Sequence, residues 1–199
     1  DTGIEAWART ARYAFFRRTR AERRLDYIAT AHTQDDQAET VLFNIIRGSA
    51  RRGLAGIPPV REGWLLRPLL NCSRQDVETY VRKKKLAYVI DPSNSDVRFT
   101  RNKIRHSLLP ILEKEFSPQI RRHLASVAET TREEENWLEG GATQALTRVV
   151  EDTYALSLPK LDREPAALRL RILRQWAEEK TQDLKTIHLL RLRELSQAK

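Results

Sequence analysis

Residues 31–40 read A-H-T-Q-D-D-Q-A-E-T, and they directly follow the run L-D-Y-I-A-T of residues 25–30. The first run has the length and composition of a short strand, whereas the second begins a segment with helical periodicity. Thr33 and Asp36 have the spacing of a capping box, in which two side chains satisfy free amide groups at the start of a helix. This stretch therefore predicts a strand followed by a helix.

Helical periodicity flanks the stretch on both sides. From Ile4 to Arg24, apolar residues recur at helical spacing with arginines between them, and after Thr33 the pattern continues through Ile46 to Gly48. Glycine is common directly after a helix because it adopts a left-handed conformation without strain. The order helix, strand, helix is typical of an α/β layer on a parallel sheet.

The next segments keep this mixed character. After a loop rich in Arg and Gly, the sequence predicts a strand in residues 64–70. Ser73 and Asp76 repeat the capping-box spacing and predict a helix to about Lys85, and a strand is expected in residues 86–90. The run D-P-S-N-S-D at 91–96 predicts a turn, and residues 98–116 have a helical pattern that Pro110 should kink or split. Residues 1–116 are therefore expected to form one α/β domain.

Long helical patterns dominate from residue 117 onwards. We expect helices in residues 119–138, 165–180 and 184–196, a break at Gly140 and Gly141, and an extended segment in residues 154–158. The acidic run of residues 132–135 is most simply a solvated face. Residues 117–199 are thus predicted to be a smaller α-helical domain.

The net charge and the arginine content indicate which class of molecule could bind this chain. The 199 residues carry a formal net charge of +9, with 27 arginines and nine lysines. Guanidinium groups bind phosphate bidentately and stack on bases, so nucleic acid is the first partner to consider. A genome that encodes arginine in place of lysine on ordinary surfaces explains the same charge, and composition alone does not separate the two explanations.

Several classes are disfavoured. Cys72 is the only cysteine, which excludes an internal disulfide, a zinc site made of thiolates and a cysteine-held iron–sulfur cluster within this chain. No apolar run has the length of a membrane span and no secretory leader is visible, so we expect a cytoplasmic protein. The absence of methionine leads us to expect a fragment of a longer protein.

Four ionisable side chains lie close together in residues 32–39. On a helix, Asp36 and Glu39 share one side with Arg47, roughly opposite a core stripe of Ala38, Val41, Ile45 and Ile46. His32 and Asp35 lie where a strand ends, which is where open α/β sheets bind ligands. The acids suit Mg²⁺ or an ammonium group, and a neutral imidazole can accept a proton. Helix capping explains one or two of these acids, but not the whole set.

Two other clusters allow a functional and a structural interpretation. D-P-S-N-S-D has the composition of an ordinary turn. In R-N-K-I-R at 101–105, Arg101 and Arg105 share a helical face and fit either a phosphate clamp or a basic surface.

In combination and in this order, the motifs resemble the tRNA(Ile)-lysidine synthetase family of N-type ATP pyrophosphatases. The resemblance covers residues 4–110, and a weaker one continues through residues 168–192. The motifs that carry it are A-R-T-A-R-Y (8–13), A-H-T-Q-D-D-Q-A-E-T (31–40), R-G-S-A-R-R-G-L-A-G-I (47–57), R-P-L-L (67–70), D-P-S-N-S-D (91–96) and R-N-K-I-R-H-S-L-L-P (101–110).

The resemblance implies a partial parallel-sheet, adenine-nucleotide α-hydrolase-like domain followed by a smaller helical domain. The implied enzyme is a carbon–nitrogen ligase that uses ATP and Mg²⁺ to adenylate the wobble cytidine in the CAU anticodon of isoleucine tRNA. The amine of L-lysine then displaces AMP and forms lysidine. The family's phosphate-binding loop, S-G-G-x-D-S, does not occur in these 199 residues, so the chain alone is expected to be inactive.

The resemblance also implies roles for particular residues. The expected catalytic residues are His32, Asp35, Asp36, Glu39, Arg101 and Arg105. Asp36 and Glu39 are also the candidate Mg²⁺ ligands. The expected nucleotide contacts are Arg12, Asn94 and Asn102, and the expected RNA contacts are Arg47, Arg51 and Arg52. The family often has a Gly near Lys83 to Leu86, so the preceding helix is expected to end differently here.

Two alternatives have similar sequence features. The tRNA cytidine thiolation enzymes share an H-x-x-D-D-x-x-E-T motif, but they need cysteines and only Cys72 is present. A non-catalytic RNA-binding module would use the acids only as helix caps. The sequence does not predict the oligomeric state.

Overall fold

A computed structural model describes residues 2–89, 99–153 and 155–180, with side chains described from residue 7 onwards. The chain divides into two compact units, Asp1–Arg132 and Glu133–Lys199. The first unit extends beyond the predicted domain limit at residue 116, because Leu124 and Ala128 belong to its core. No described helix is long and apolar enough to cross a membrane.

The first unit is built mainly from helices. Its elements follow the order α1 (Thr2–Glu22), β1 (Ile28–Ala29), α2 (Gln34–Ile46), α3 (Arg51–Leu54), β2 (Val60–Arg61), β3 (Leu65–Leu66), α4 (Arg74–Lys84), α5 (Thr100–Lys103), a π-helical stretch (Ile104–Leu108) and α6 (Leu109–Glu115). The long helix α7 (Ile120–Val149) begins in this unit. The predicted helix, strand and helix around residues 31–40 are therefore confirmed.

A small three-stranded sheet supports the start of α2. Its strand order is β1-β3-β2, with β1 parallel and β2 antiparallel to β3. Ile28 pairs with Leu65, which is 1% exposed, and Ala29 pairs with Leu66. The predicted parallel pairing is confirmed, whereas both predicted strands are shorter than expected. Residues 86–89 form no strand, so that prediction is wrong for the part of it that the structure describes.

One apolar core holds α2 against the later helices of this unit. Its buried residues are Ala38, Val41, Ile104, Leu109, Leu124 and Ala128. Ile45 and Ile46 were expected to share this core stripe, but they are about half exposed. The apolar stripe of α2 is therefore buried only in its first half, where the π-helical stretch and α7 cover it.

Helix ends follow the expected local rules with one exception. Gly48, directly after the α2 cap residue, has a φ of 72°, as predicted for a residue beyond a helix end. Ser73 and Asp76 form the predicted capping box of α4. At the other end of α4, Lys85 adopts a left-handed conformation with a φ of 51°, which glycine adopts with less strain.

The helical segment before residue 116 is divided, as Pro110 predicts. Proline cannot donate the backbone hydrogen bond that an α-helix needs four residues back, here to His106. The chain widens into the π-helical stretch at residues 104–108, which ends two residues before the proline, and α6 then runs from Leu109 to Glu115. The prediction of an interruption is confirmed, and the interruption is a local widening of the helix.

The second unit contains the remainder of α7, a hairpin of β4 (Val150–Asp152) and β5 (Ala155–Leu156), α8 (Leu158–Arg163) and α9 (Ala166–Lys180). Its core includes Ala145, Val149, Leu161 and Ile172. The predicted helix of residues 184–196 lies outside the described residues.

Two predictions for this unit are wrong. Gly140 and Gly141 do not break α7, and a side chain at Gly141 would come within 3.7 Å of Leu168. Glu135 is 5% exposed and pairs with Arg171 at 2.6 Å, so the acidic run is not wholly a solvated face. Sequence periodicity does not reveal this pairing, because Arg171 lies on another helix.

Candidate active site

The start of α2 fixes the orientation of Asp36. One oxygen of its carboxylate, Oδ2, accepts hydrogen bonds from the Thr33 backbone N–H at 2.8 Å and from the Thr33 hydroxyl at 3.0 Å. The capping box therefore leaves Oδ1 available to other partners. Arg105 Nη2 donates to that oxygen at 3.1 Å, and Arg101 Nη2 lies 3.6 Å from it. One side chain thus both caps the helix and contributes to an ionic cluster.

Glu39 lies one turn further along α2 and is completely buried. Arg105 binds its carboxylate bidentately, with Nε 2.6 Å from Oε1 and Nη2 2.8 Å from Oε2. Arg101 Nε donates to Oε2 at 3.0 Å. Asp36, Glu39, Arg101 and Arg105 thereby form one acid–arginine cluster, in which two positive charges offset two negative charges.

The cluster joins segments that are distant in the sequence. The two carboxylates belong to α2, whereas Arg101 lies in α5 and Arg105 in the π-helical stretch. The core contacts of Ile104 and Leu109 with the apolar side of α2 hold these arginines over its acidic side. Four of the six residues that the resemblance implies as catalytic are therefore brought together from the two motifs.

Electrostatics favour an ionised Asp36. Burial alone would raise the pKa of its carboxyl group, but the hydrogen bonds from Thr33 and the charges of Arg101 and Arg105 outweigh burial and lower it. For Arg105, burial would lower the pKa, and the hydrogen bonds and charge of Glu39 raise it. Both shifts stabilise the charged forms, so the cluster is ionic.

His32 lies at the edge of the cluster. Its Nδ1 shares a hydrogen bond of 2.9 Å with the Thr30 hydroxyl. Burial lowers the pKa of His32, the Asp36 carboxylate opposes this shift, and the charges of Arg67, Arg101 and Arg12 add to it. The imidazole is therefore neutral at neutral pH and has the protonation state of a general base.

Asp35 has different partners from the other acids. Its Oδ2 accepts the backbone N–H of Arg74 at 2.7 Å, at the first residue of α4, and Oδ1 lies 3.2 Å from Arg121 Nη1. Arg121 also donates to Glu113 at 2.7 Å. The structure thus places Asp35 in a network that joins α2, α4, α6 and α7, and outside the acid–arginine cluster.

The expected nucleotide and RNA contacts lie at several places. Arg12 is exposed on α1, and its charge affects His32. Asn102 is half-buried beside Arg101, whereas Asn94 lies outside the described residues. The three expected RNA contacts, Arg47, Arg51 and Arg52, are exposed at the far end of α2 and in α3.

The acid–arginine cluster does not fit a Mg²⁺ ion as it stands. All four carboxylate oxygens of Asp36 and Glu39 already face Thr33 or an arginine. Among the described residues, no group of three or more metal-binding side chains could hold a metal ion. Arginines would also repel a divalent cation, so the predicted Mg²⁺ ligation by these two acids conflicts with this geometry.

Sequence reasoning assigned no role to two arginines that the structure connects to these residues. Arg121 neutralises Asp35, and Arg67 lies close enough to His32 to affect its pKa. Arg67 had a sequence signal, because it is the one charged residue in the run W-L-L-R-P-L-L. Arg121 had none, because arginines are frequent along that helix.

A PP-loop domain model matches residues 1–112 of this sequence, and the chain belongs to this family of adenine-nucleotide α-hydrolase-like domains. The predicted class of the first domain is therefore confirmed. The limits of the domains and the helical nature of residues 117–199 as a separate domain stay predictions.

The chain is also similar to curated proteins named tRNA(Ile)-lysidine synthase. It is 37% identical over 177 residues to the protein of Geobacillus kaustophilus, with 86% of this chain and 38% of the relative covered. It is 36% identical over 197 residues to that of Francisella tularensis, with 94% and 48% covered. For the Bacillus licheniformis protein, identity is 42% over 147 residues, with 72% and 30% covered. The chain thus spans less than half the length of each of these relatives.

Proposed function

We propose that the chain is part of an enzyme that joins lysine to the wobble cytidine of isoleucine tRNA. The names of the relatives support this reaction, and the acid–arginine cluster is the observation that carries it. In the proposed reaction, the C2 carbonyl oxygen of the cytidine in the CAU anticodon attacks the α-phosphate of ATP, and pyrophosphate leaves. The lysine amine then attacks C2, and AMP leaves.

The charge balance of the cluster suits both substrates of the second step. In this proposal a phosphate group binds Arg101, the more exposed of the two arginines, and the lysine ammonium group takes the place of Arg101 beside Asp36 Oδ1, while Glu39 stays paired with Arg105. Binding both groups together preserves electrical neutrality, whereas binding only one leaves buried charge unpaired at a substantial cost. We therefore propose that adenylate and lysine bind this site cooperatively.

The other expected residues have supporting roles in this proposal. His32 accepts a proton as the lysine amine becomes a nucleophile, since burial keeps its imidazole neutral. Arg12, Asn94 and Asn102 contact the nucleotide, and Arg47, Arg51 and Arg52 contact tRNA. Asp35 positions α2 through Arg74 and Arg121, instead of touching substrate.

The cofactor of the proposed reaction is ATP with Mg²⁺. The metal would neutralise phosphate charge, and the arginines that contact Asp36 and Glu39 argue against these two acids as its ligands. We further propose that residues 117–199 form a helical domain that follows the catalytic domain. The enzyme would act in the cytoplasm, where tRNA is used.

The test uses a fusion protein in which this chain follows an amino-terminal segment that carries the family's S-G-G-x-D-S loop. We expect this protein to attach radiolabelled lysine to a CAU-anticodon tRNA(Ile) transcript only when ATP is present. Asp36→Ala should reduce kcat/KM by at least about 100-fold, because it removes a charged contact to the amine.

The matched control is Glu78→Gln, which removes an exposed acid from α4. It should leave kcat/KM within about twofold of the parent protein, as expected for a surface charge. Circular dichroism of each variant establishes that it is folded. Incorporation of sulfur, or no modification of RNA by the folded protein, would refute the proposed function.

A further inference from the structure

Within the part of the chain that the structure describes, Arg67 is a buried cation without an anionic partner. Its side chain belongs to a residue that is 4% exposed, and its Nε has no hydrogen-bond partner. Its two other contacts are the Pro58 carbonyl, which accepts from Nη1, and the Tyr13 hydroxyl, which accepts from Nη2 at 3.1 Å. No carboxylate pairs with it in the described ranges. Since buried charges are normally paired, this arrangement requires an explanation.

More positive charge surrounds Tyr13. The guanidinium carbon of Arg61 lies 4.4 Å from the centroid of the Tyr13 ring, and that of Arg9 lies 5.3 Å from it. Burial would raise the pKa of Tyr13, but the charges of Arg9, Arg67 and Arg61 lower it. We call Tyr13, Arg9, Arg61 and Arg67 the Tyr13 arginine cluster.

Only one described acid contributes to the charge balance of this cluster. Glu62 lies 3.4 Å from Arg61, but it also pairs with Arg17 at 2.9 Å. In the described part of the chain, Glu62 is therefore shared between Arg61 and Arg17, which lies outside the cluster, and it does not contact Arg67. The acid–arginine cluster, by contrast, is balanced charge for charge.

The free edge of Arg67 has the geometry of an oxyanion site. Nε and Nη2 lie on the same edge of a guanidinium group, and this is the edge with which Arg105 binds Glu39. Among the described residues, Nε of Arg67 has no hydrogen-bond partner, and Nη2 donates to the Tyr13 hydroxyl. That hydroxyl can rotate and donate its own hydrogen to an oxyanion. An oxyanion there would meet three donors, and the nearby charges of Arg61 and Arg9 would strengthen its attraction.

We propose that the Tyr13 arginine cluster binds a phosphate group beside the candidate active site. Arg67 and Arg12 both lower the pKa of His32, so the positive field of this region reaches the proposed base. The phosphate belongs either to a nucleotide or to the RNA backbone, and this choice alone rests on the proposed function. The oxyanion site itself depends only on the contacts of Arg67.

The experiment uses the 199-residue chain and three probes, namely inorganic phosphate, ATP and a single-stranded oligouridine. Each is titrated at constant ionic strength while the arginine Nε–H signals are followed by ¹⁵N NMR, with the Arg67 signal assigned by Arg67→Lys. We expect the Arg67 signal to shift on addition of phosphate, because its Nε–H gains an acceptor. A purely structural Arg67 would not respond.

Arg61→Gln and Tyr13→Phe test the cluster without removing Arg67. Each should weaken binding of the responsive probe by about tenfold, the value of one charge-assisted hydrogen bond. The control Arg18→Gln removes one exposed arginine of α1 that also lies near an aromatic ring. It should leave the affinity unchanged.

The two sources of phosphate give different results. A response to ATP but not to oligouridine assigns the site to the nucleotide, and the reverse assigns it to the RNA backbone. An Arg67 signal that no probe shifts, or affinities that all the variants retain, would overturn the proposal. These results are independent of tRNA modification, so failure of the proposed function is distinguishable.

Discussion

At the scale of single residues, the helical pattern of the sequence does not predict the burial of Glu39. Periodicity correctly separates Glu39 from the core residues Ala38 and Val41 on α2. It cannot indicate that Arg101 and Arg105 cover the opposite side and leave Glu39 completely buried. A carboxylate in that position is stable because two guanidinium groups replace the water that it loses.

Replacement of this carboxylate tests its role in stability. Glu39→Gln leaves the largely buried Arg105 and the partly exposed Arg101 with one acid between them, so the free energy of unfolding should fall by about 3 kcal/mol. Urea denaturation measures this change. The control Glu129→Gln removes an exposed acid of α7 and should change the free energy by less than about 0.5 kcal/mol. Equal effects of the two substitutions would contradict the described packing of Glu39.

The lowered pKa of His32 predicts how the stability of the fold depends on pH. Burial lowers the pKa of the folded imidazole below its ordinary value of 6.5, so folding favours the neutral ring. The resulting stability is complete above pH 6.5 and is lost as the pH falls through the lowered pKa of the folded state. NMR titration of the His32 ring should give a midpoint below 6.5, and His32→Gln should flatten the pH dependence of urea denaturation over this range. A midpoint above that value would refute the described burial.

At the scale of elements, local rules account for the helix ends better than for the strands. The capping boxes at Thr33 and Ser73 and the turn at Gly48 depend on neighbouring residues, and each was predicted. The strands β1, β2 and β3 have two residues each, so their pairing depends on contacts distant in the sequence. Short segments of this kind carry too little periodicity to define their ends.

The end of α4 offers a test at this scale. Lys85 occupies a left-handed position, and its replacement by glycine should raise the free energy of unfolding by up to about 1 kcal/mol. The matched control is Lys83→Gly, two residues earlier in the same helix, which should lower it by about 1 kcal/mol. Thermal and urea unfolding measure both values. A loss of stability in Lys85→Gly would exclude the left-handed conformation.

At the scale of the whole molecule, the net charge of +9 predicts RNA binding that depends on salt. Affinity for a tRNA transcript should fall steeply with salt concentration, because bound arginines release counterions from the phosphates. The double variant Arg51→Gln/Arg52→Gln should reduce the slope of log K against log salt by about two, roughly one for each lost contact.

The comparison variant for this measurement is Lys160→Gln/Arg163→Gln, which removes the same charge from α8. For this variant, the slope of log K against log salt should match that of the parent chain. If both double variants reduce the slope equally, the binding follows net charge alone and the assignment of RNA contacts to α3 is wrong.

The sequence by itself determined the local structure and the family. Capping spacings, apolar periodicity and Pro110 act through neighbouring residues, so the helices around residues 31–40 and the interruption near 104–110 follow from them. The motif order likewise pointed to the family that matches residues 1–112.

Only the tertiary structure decided which charges meet. The α2 acids separate, with Asp36 and Glu39 facing Arg101 and Arg105 while Asp35 faces Arg121. The tertiary structure also buries Arg67 beside Tyr13, with no acid as its partner among the described residues. The physical reason is that an ion pair depends on distances of a few ångströms between side chains, and packing of distant segments sets these distances.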